Sequence, residues 1–248
     1  MSKDRNTTKT VGILGGLGPE ATVRFFKLII ENTSARKDQE HLKIIILDNP
    51  SIPDRTAAIL YHGESPLPAL REGLKFLEKS GAELAVIPCL TAHYYFDQLK
   101  SATKLKLVNL IEETASYLKN LNPPVKKAGL LATEGTIATG IFLQPFKKKK
   151  IEVLNPSERS QKKIMEAIYG EEGIKAGFKG RKPKRLLIEA ATELIESGAQ
   201  AIIGGCTEIP LALSSEDLTV PFVDRLITGA RAVIKKAGGQ VKIESAWR

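Results

Sequence analysis

Two residues carry most of the chemistry that this 248-residue sequence can offer: Cys89 and Cys206, its only cysteines. They stand in Pro88-Cys89-Leu90-Thr91-Ala92-His93 and Gly205-Cys206-Thr207-Glu208. A thiol titrates near pH 8.5, so it can deliver a proton and, as thiolate, remove one. Two such groups flanking a weakly acidic carbon can take a proton from one face and return one to the other, which spares a single base from swinging across. Helix starts are expected just after both cysteines. They would favour a thiolate, and their backbone N–H groups could hold a carboxylate as it gains enolate character. His93 and Glu208 are accessory candidates, able to orient or deprotonate a thiol. Plainer readings stand beside these. A lone cysteine after a strand is commonly a small buried hydrophobe, His93 a core or helix-surface histidine, and Glu208 a first-turn helix acid.

An internal repeat bears on the choice. Val11-Gly-Ile-Leu-Gly-Gly-Leu-Gly-Pro-Glu-Ala-Thr22 lies over Ala128-Gly-Leu-Leu-Ala-Thr-Glu-Gly-Thr-Ile-Ala-Thr139 at an offset of 129 − 12 = 117. Without a gap, Ser80-Gly81-Ala82 then falls on Ser197-Gly198-Ala199, and Cys89 on Cys206, since 206 − 89 = 117. The implied structure is two similar units, each presenting one thiol from an equivalent place.

The elements that must position them follow from periodicity. Lys9 to Leu14 reads as a buried strand, followed by a glycine turn and a helix from Pro19 to Asn32. Ile44 to Leu47 and Leu84 to Pro88 read as strands, with a helix from Pro66 to Ser80 between them that stops at Gly81. The second unit repeats the scheme with strands at Ala128–Ala132, Ile151–Leu154 and Ala201–Gly205 and a helix over Pro183–Ser197. Alternating strands and helices predict an α/β fold of two pseudo-symmetric Rossmann-like domains with parallel sheets. Ligands are then expected beyond the carboxyl ends of the strands, where both cysteines fall. Leu105–Ile111 with helix Glu112–Leu121, and Val220–Val223 with helix Asp224–Lys236, look like crossings between domains. The expected division is residues 1–105 plus 222–248 against 106–221.

Composition narrows the class. Lys plus Arg exceed Asp plus Glu by 37 − 28 = 9. Much of the excess sits at Lys147–Lys150 and Lys179–Arg185, without interleaved aromatics to stack on bases, so these read as solvated turns rather than a nucleic-acid surface. The polar Met1–Thr10 does not read as a signal peptide. No apolar run reaches the roughly 18 residues that span a bilayer. A cytoplasmic protein without a membrane or nucleic-acid partner is expected, and in that reducing setting the cysteines would be free thiols.

The chain resembles the aspartate racemase branch of the aspartate/glutamate racemase family. The carriers are Gly12-Ile-Leu-Gly-Gly-Leu-Gly-Pro19, Asn49-Pro-Ser-Ile-Pro-Asp-Arg-Thr56, Pro88-Cys-Leu-Thr-Ala-His93, Ile174-Lys-Ala-Gly177 and Gly205-Cys-Thr-Glu208. The resemblance implies an active-site cleft between two α/β domains, no pyridoxal phosphate, no other cofactor and no metal, and a homodimer acting on a small amino acid. It implies Cys89 and Cys206 as the acid/base pair, with Arg55 and Lys175 holding substrate carboxylates. Arg offers a planar fork suited to that task; without the family, both cations read as surface residues. Asp54 and Thr56, in a proline-bounded loop, are expected beside the ligand, together with Leu90, Thr91, Ala92 and Thr207. One position departs from the pattern. Leu90 stands where the family usually has Asn, which removes an amide from the site and puts aspartate as the substrate in question.

Three other functions compete. Gly16-Leu-Gly-Pro-Glu-Ala21 loosely fits a dinucleotide-binding turn, with Asp48 as a ribose ligand, but Pro19 removes a backbone donor and the paired cysteines go unexplained. A superfamily relative, such as a hydantoin racemase, a maleate-type isomerase or a decarboxylase, is the second. A non-catalytic amino-acid-binding homologue, suggested by Leu90, is the third.

Overall fold

The computed structural model describes residues 8–242. In chain order the elements are β1 (Val11–Gly15), α1 (Pro19–Asn32), β2 (Ile44–Asp48), α2 (Arg55–Leu60), α3 (Leu67–Lys79), β3 (Leu84–Val86), α4 (Phe96–Lys100), β4 (Lys106–Val108), α5 (Leu110–Lys119) and β5 (Lys127–Leu131). They continue with α6 (Glu134–Thr139), α7 (Leu143–Lys148), β6 (Glu152–Leu154), α8 (Glu158–Tyr169), α9 (Arg181–Glu196), β7 (Ala201–Gly204), β8 (Phe222–Asp224) and α10 (Arg225–Ala237).

The strands form two four-stranded sheets of orders β2-β1-β3-β4 and β6-β5-β7-β8. Every ladder in both is parallel. The central strands explain why. All five residues of β1 and all four of β7 are buried, as befits strands covered by helices on both faces. The edge strand β2 is partly exposed. The offset of 117 reproduces the structural pairing: Leu84–Val86 of β3 carries onto Ala201–Ile203 of β7, and Val11 onto Ala128, the second residue of β5.

Contacts gather into two compact units, Met1–Pro53 with Ser65–Leu110 and Leu226–Arg248, and Asp54–Glu64 with Ile111–Arg225. The breaks fall after β4 and β8 rather than before them, because each strand pairs with its own sheet while the helix that follows belongs to the other unit. Sequence periodicity places the two strands with their helices and cannot see that pairing. Asp54–Glu64 is a second difference. It joins the unit that carries Cys206, through the packing of α2 on α6. A Cβ at Gly135 of α6 would lie 2.8 Å from Thr56 Oγ1, which shows how closely the two helices meet.

In the first unit, Val11, Ile13 and Leu14 of β1 are fully buried, as are Leu70, Leu74 and Leu77 of α3. In the second, the core gathers Ile164, Ala167 and Ile168 of α8 with Leu187, Ala190, Ala191 and Leu194 of α9. Both helices place these residues at the three-to-four spacing of an amphipathic face. The β1 turn is shaped by its glycines. Gly16 has φ +88°, and a Cβ there would lie 2.2 Å from the Asn49 backbone. Its N–H donates to Thr22 Oγ1 at 2.9 Å. These close approaches account for the glycine-rich motif without a bound dinucleotide. Among the described residues no helix is long and apolar enough to cross a membrane.

Candidate active site

Cys206 lies two residues beyond the end of β7, half-buried and unbridged. Its Sγ donates to Glu208 Oε2 at 2.7 Å. The Thr207 hydroxyl donates to the same oxygen, also at 2.7 Å. The other oxygen, Oε1, faces Lys175 Nζ at 3.5 Å, and Nζ sits 5.1 Å from the centre of the Tyr169 ring. One carboxylate thus gathers a thiol, a hydroxyl and an ammonium group. Lys175 is in a short 3-10 turn, Ile174–Ala176, closed by Gly177 at φ +94°.

These contacts set the protonation states. Burial pushes the Glu208 carboxyl up, but Lys175 and the hydrogen bonds from Cys206 and Thr207 outweigh it and hold the group below its ordinary value. Burial, followed by the negative charge of Glu208, pushes the Cys206 thiol well above its ordinary value, against a downward pull from Arg225. In this form Cys206 is a protonated thiol and Glu208 the carboxylate that accepts from it. That corrects the expectation of a helix-favoured thiolate. The turn beyond Cys206 is a three-residue 3-10 segment, Ile209–Leu211, too short for a macrodipole of consequence.

Sequence reasoning did not single out Arg225, whose positive charge acts on the Cys206 thiol. It is 1% exposed and follows β8, whose Asp224 pairs with Gly204 two residues before Cys206. The signal available was the Asp224-Arg225 pair inside the otherwise apolar stretch Phe222-Val-Asp-Arg-Leu-Ile227.

Arg55 and Thr56 open α2, both partly buried, in the same compact unit as Cys206 and Lys175. The expected loop is a helix, and exposed Asp54 is its N-cap, accepting from the Ala57 N–H at 2.7 Å. Its carboxylate therefore has a structural task at the helix start, where Asp is favoured.

Cys89 belongs to the other unit. It lies three residues beyond β3, half-buried and unbridged. The following segment, Thr91–Tyr95, is a 3-10 helix. Thr91 is partly exposed, whereas Leu90 is 3% and Ala92 0% exposed. Both side chains are buried. His93 is buried, and both ring nitrogens meet backbone. Nδ1 lies 3.0 Å from the Cys89 carbonyl oxygen, and Nε2 accepts the Leu110 N–H at 3.2 Å. A ring engaged on both sides cannot serve as base toward the thiol. Among the described residues, no group of three or more His, Cys, Asp or Glu side chains is placed to hold a metal ion.

The sequence profile described as Asp/Glu/Hydantoin racemase matches residues 14–236. The chain belongs to that family. It is 27% identical over 232 residues to the broad specificity amino-acid racemase RacX of Bacillus subtilis, covering 90% of this chain and 96% of the relative. Its fold superposes on the Picrophilus torridus aspartate racemase with TM-score 0.82 and 31% identity, over 94% of this chain and 96% of the other. An aspartate racemase homologue from Pyrococcus horikoshii OT3 gives TM-score 0.75 and 27% identity, over 93% and 99%. Membership of the family supports an amino-acid racemase function for this chain and sets aside the dinucleotide-binding reading.

Proposed function

We propose that the protein racemises aspartate or a similar small amino acid by a two-base reaction in which Cys89 and Cys206 act on opposite faces of Cα, with no cofactor. The observation that carries this reading is an equivalence. Two units with the same strand order each place a half-buried free cysteine two or three residues beyond the corresponding central strand, β3 or β7. The 31% identical Picrophilus protein is an aspartate racemase, and the Bacillus relative is an amino-acid racemase of broad specificity; together they support an amino-acid substrate.

In one direction, Glu208 takes the Cys206 proton and the resulting thiolate removes the Cα proton. The Cys89 thiol then delivers its own proton to the opposite face. In the other direction the Cys89 thiolate removes the Cα proton, the Cys206 thiol delivers its own, and Glu208 returns its proton to Cys206, as reversibility requires. Arg55 and Lys175 hold the substrate carboxylates. A carboxylate that draws on Lys175 weakens that residue's hold on Glu208, whose Oε1 lies 3.5 Å from Nζ, and makes Glu208 a stronger base toward the Cys206 thiol. Arrival of the substrate thereby favours formation of the thiolate.

The test is incubation of the purified protein with L-aspartate, L-glutamate and a panel of other amino acids in D2O without added cofactor. Appearance of the D-enantiomer with deuterium at Cα supports the reading. Binding of the amino acid with neither exchange nor inversion sinks it, and leaves a binding protein on a racemase scaffold.

A further inference from the structure

His93 has no part in the proton transfers proposed above, yet it is buried and chemically specified. It is 6% exposed, and its ring stacks on Phe96 with centroids 5.6 Å apart and planes 11° from parallel. The Cys89 carbonyl can only accept a hydrogen bond, so Nδ1, 3.0 Å away, carries the proton. The Leu110 N–H can only donate, so Nε2, 3.2 Å away, carries none. One neutral tautomer satisfies both contacts. Leu110 opens α5, and the first amides of a helix have no partner within it. The ring therefore spans two fixed backbone points, the peptide of Cys89 and a helix start.

We propose that His93 is a positioning residue for Cys89: its Nδ1–H holds the Cys89 carbonyl, and its Nε2 anchors the ring on the Leu110 amide, so that the thiol keeps one orientation toward the substrate carbon. The segment needs such a brace. β3 ends at Val86, and the 3-10 helix beyond Cys89 has no side-chain cap. Leu90 is tied into the core and the Leu90 carbonyl accepts the His93 N–H at 2.8 Å. That bond fixes the backbone that carries the ring, and the ring in turn meets the Cys89 carbonyl.

The proposal rests on Cys89 being one of the two acid/base groups, and three substitutions test it separately from that reading. Phe keeps the ring and the stack but no hydrogen bonds. The short amide of Asn can replace the Nδ1–H donor toward Cys89, whereas the longer amide of Gln can reach Leu110. We expect His93→Phe to lower kcat about 100-fold, as a misplacement on the order of 1 Å does, with KM changed less than about threefold. His93→Asn should recover to within about tenfold of the wild-type kcat, and His93→Gln should not. A folded His93→Phe protein with wild-type kcat, or Gln rescuing better than Asn, overturns the proposal. If the variants fail to fold, 15N NMR of the imidazole in the unaltered protein still decides. A proton on Nδ1 and none on Nε2 supports it, and the opposite tautomer overturns it. A Cys89→Ala protein that racemises normally would instead strike the two-cysteine reading, whatever the histidine does.

Discussion

The Cys206 thiol donates to the Glu208 carboxylate across 2.7 Å, two residues along the chain. The carboxylate both raises the thiol, by its negative charge, and offers the nearest place for the thiol proton to go. Glu208→Gln separates these effects. The thiol should titrate lower, because one of its two main upward causes is gone, while racemisation should fall by about 10²-fold, the lower end of what general-base assistance supplies. Alkylation rate against pH in a Cys89→Ala background reads the first, and kcat/KM the second. Both moving upward together would contradict the assignment.

Lys175→Met tests what governs the acid side of the pH profile. Glu208 titrates below its ordinary value because Lys175 and two hydrogen bonds outweigh burial. A depressed carboxyl contributes stability that is present above its unfolded value, near 4.5, and is lost as pH falls through the lower folded value. Removing the cation by Lys175→Met should raise the Glu208 value, so activity should be lost at a higher pH than in the parent and this share of stability should shrink. An unchanged acid limb of the kcat/KM profile would show that Lys175 does not govern Glu208.

Leu90→Asn tests a position where burial overrides the family pattern. The side chain is 3% exposed, so an amide there is buried without an assured partner, at a cost of about 1–3 kcal/mol. A chain of this size should then melt lower by about 2–4 °C for each kcal/mol, with no gain toward aspartate. A rise in aspartate turnover without loss of stability would show that the side chain meets the substrate.

Gly16→Ala probes the β1 turn. Its φ of +88° and the 2.2 Å approach of a Cβ to the Asn49 backbone leave no space for a methyl group, so destabilisation of at least about 1–3 kcal/mol is expected from the backbone conformation alone. Chemical denaturation measures it; a neutral substitution would mean that the turn can move away.

The repeat was legible because buried strands are local in sequence. Val11–Gly15 and Leu84–Val86 each carry their own apolar signature, and an offset of 117 finds them again in Lys127–Leu131 and Ala201–Gly204. What was not legible depends on contacts distant in the chain. The six-residue helix α2 lies behind Pro53 and Asp54, residues that read as loop punctuation until Asp54 is seen accepting from Ala57 N–H. Its place beside Gly135 rests on packing across some eighty residues, since 135 − 56 = 79. The cysteine motifs pointed to the thiols but not to their protonation. The ion pair of Glu208 with Lys175, the buried charge of Arg225 and the double engagement of His93 are all products of the fold.

The most direct measurement of the central claim follows racemisation in D2O, by circular dichroism and by deuterium at Cα, for the parent, Cys89→Ala and Cys206→Ala proteins, each shown to be folded. Both single substitutions should abolish inversion of configuration, because each leaves one face of the carbon without a proton-transfer group. Full two-way activity in either variant would contradict it.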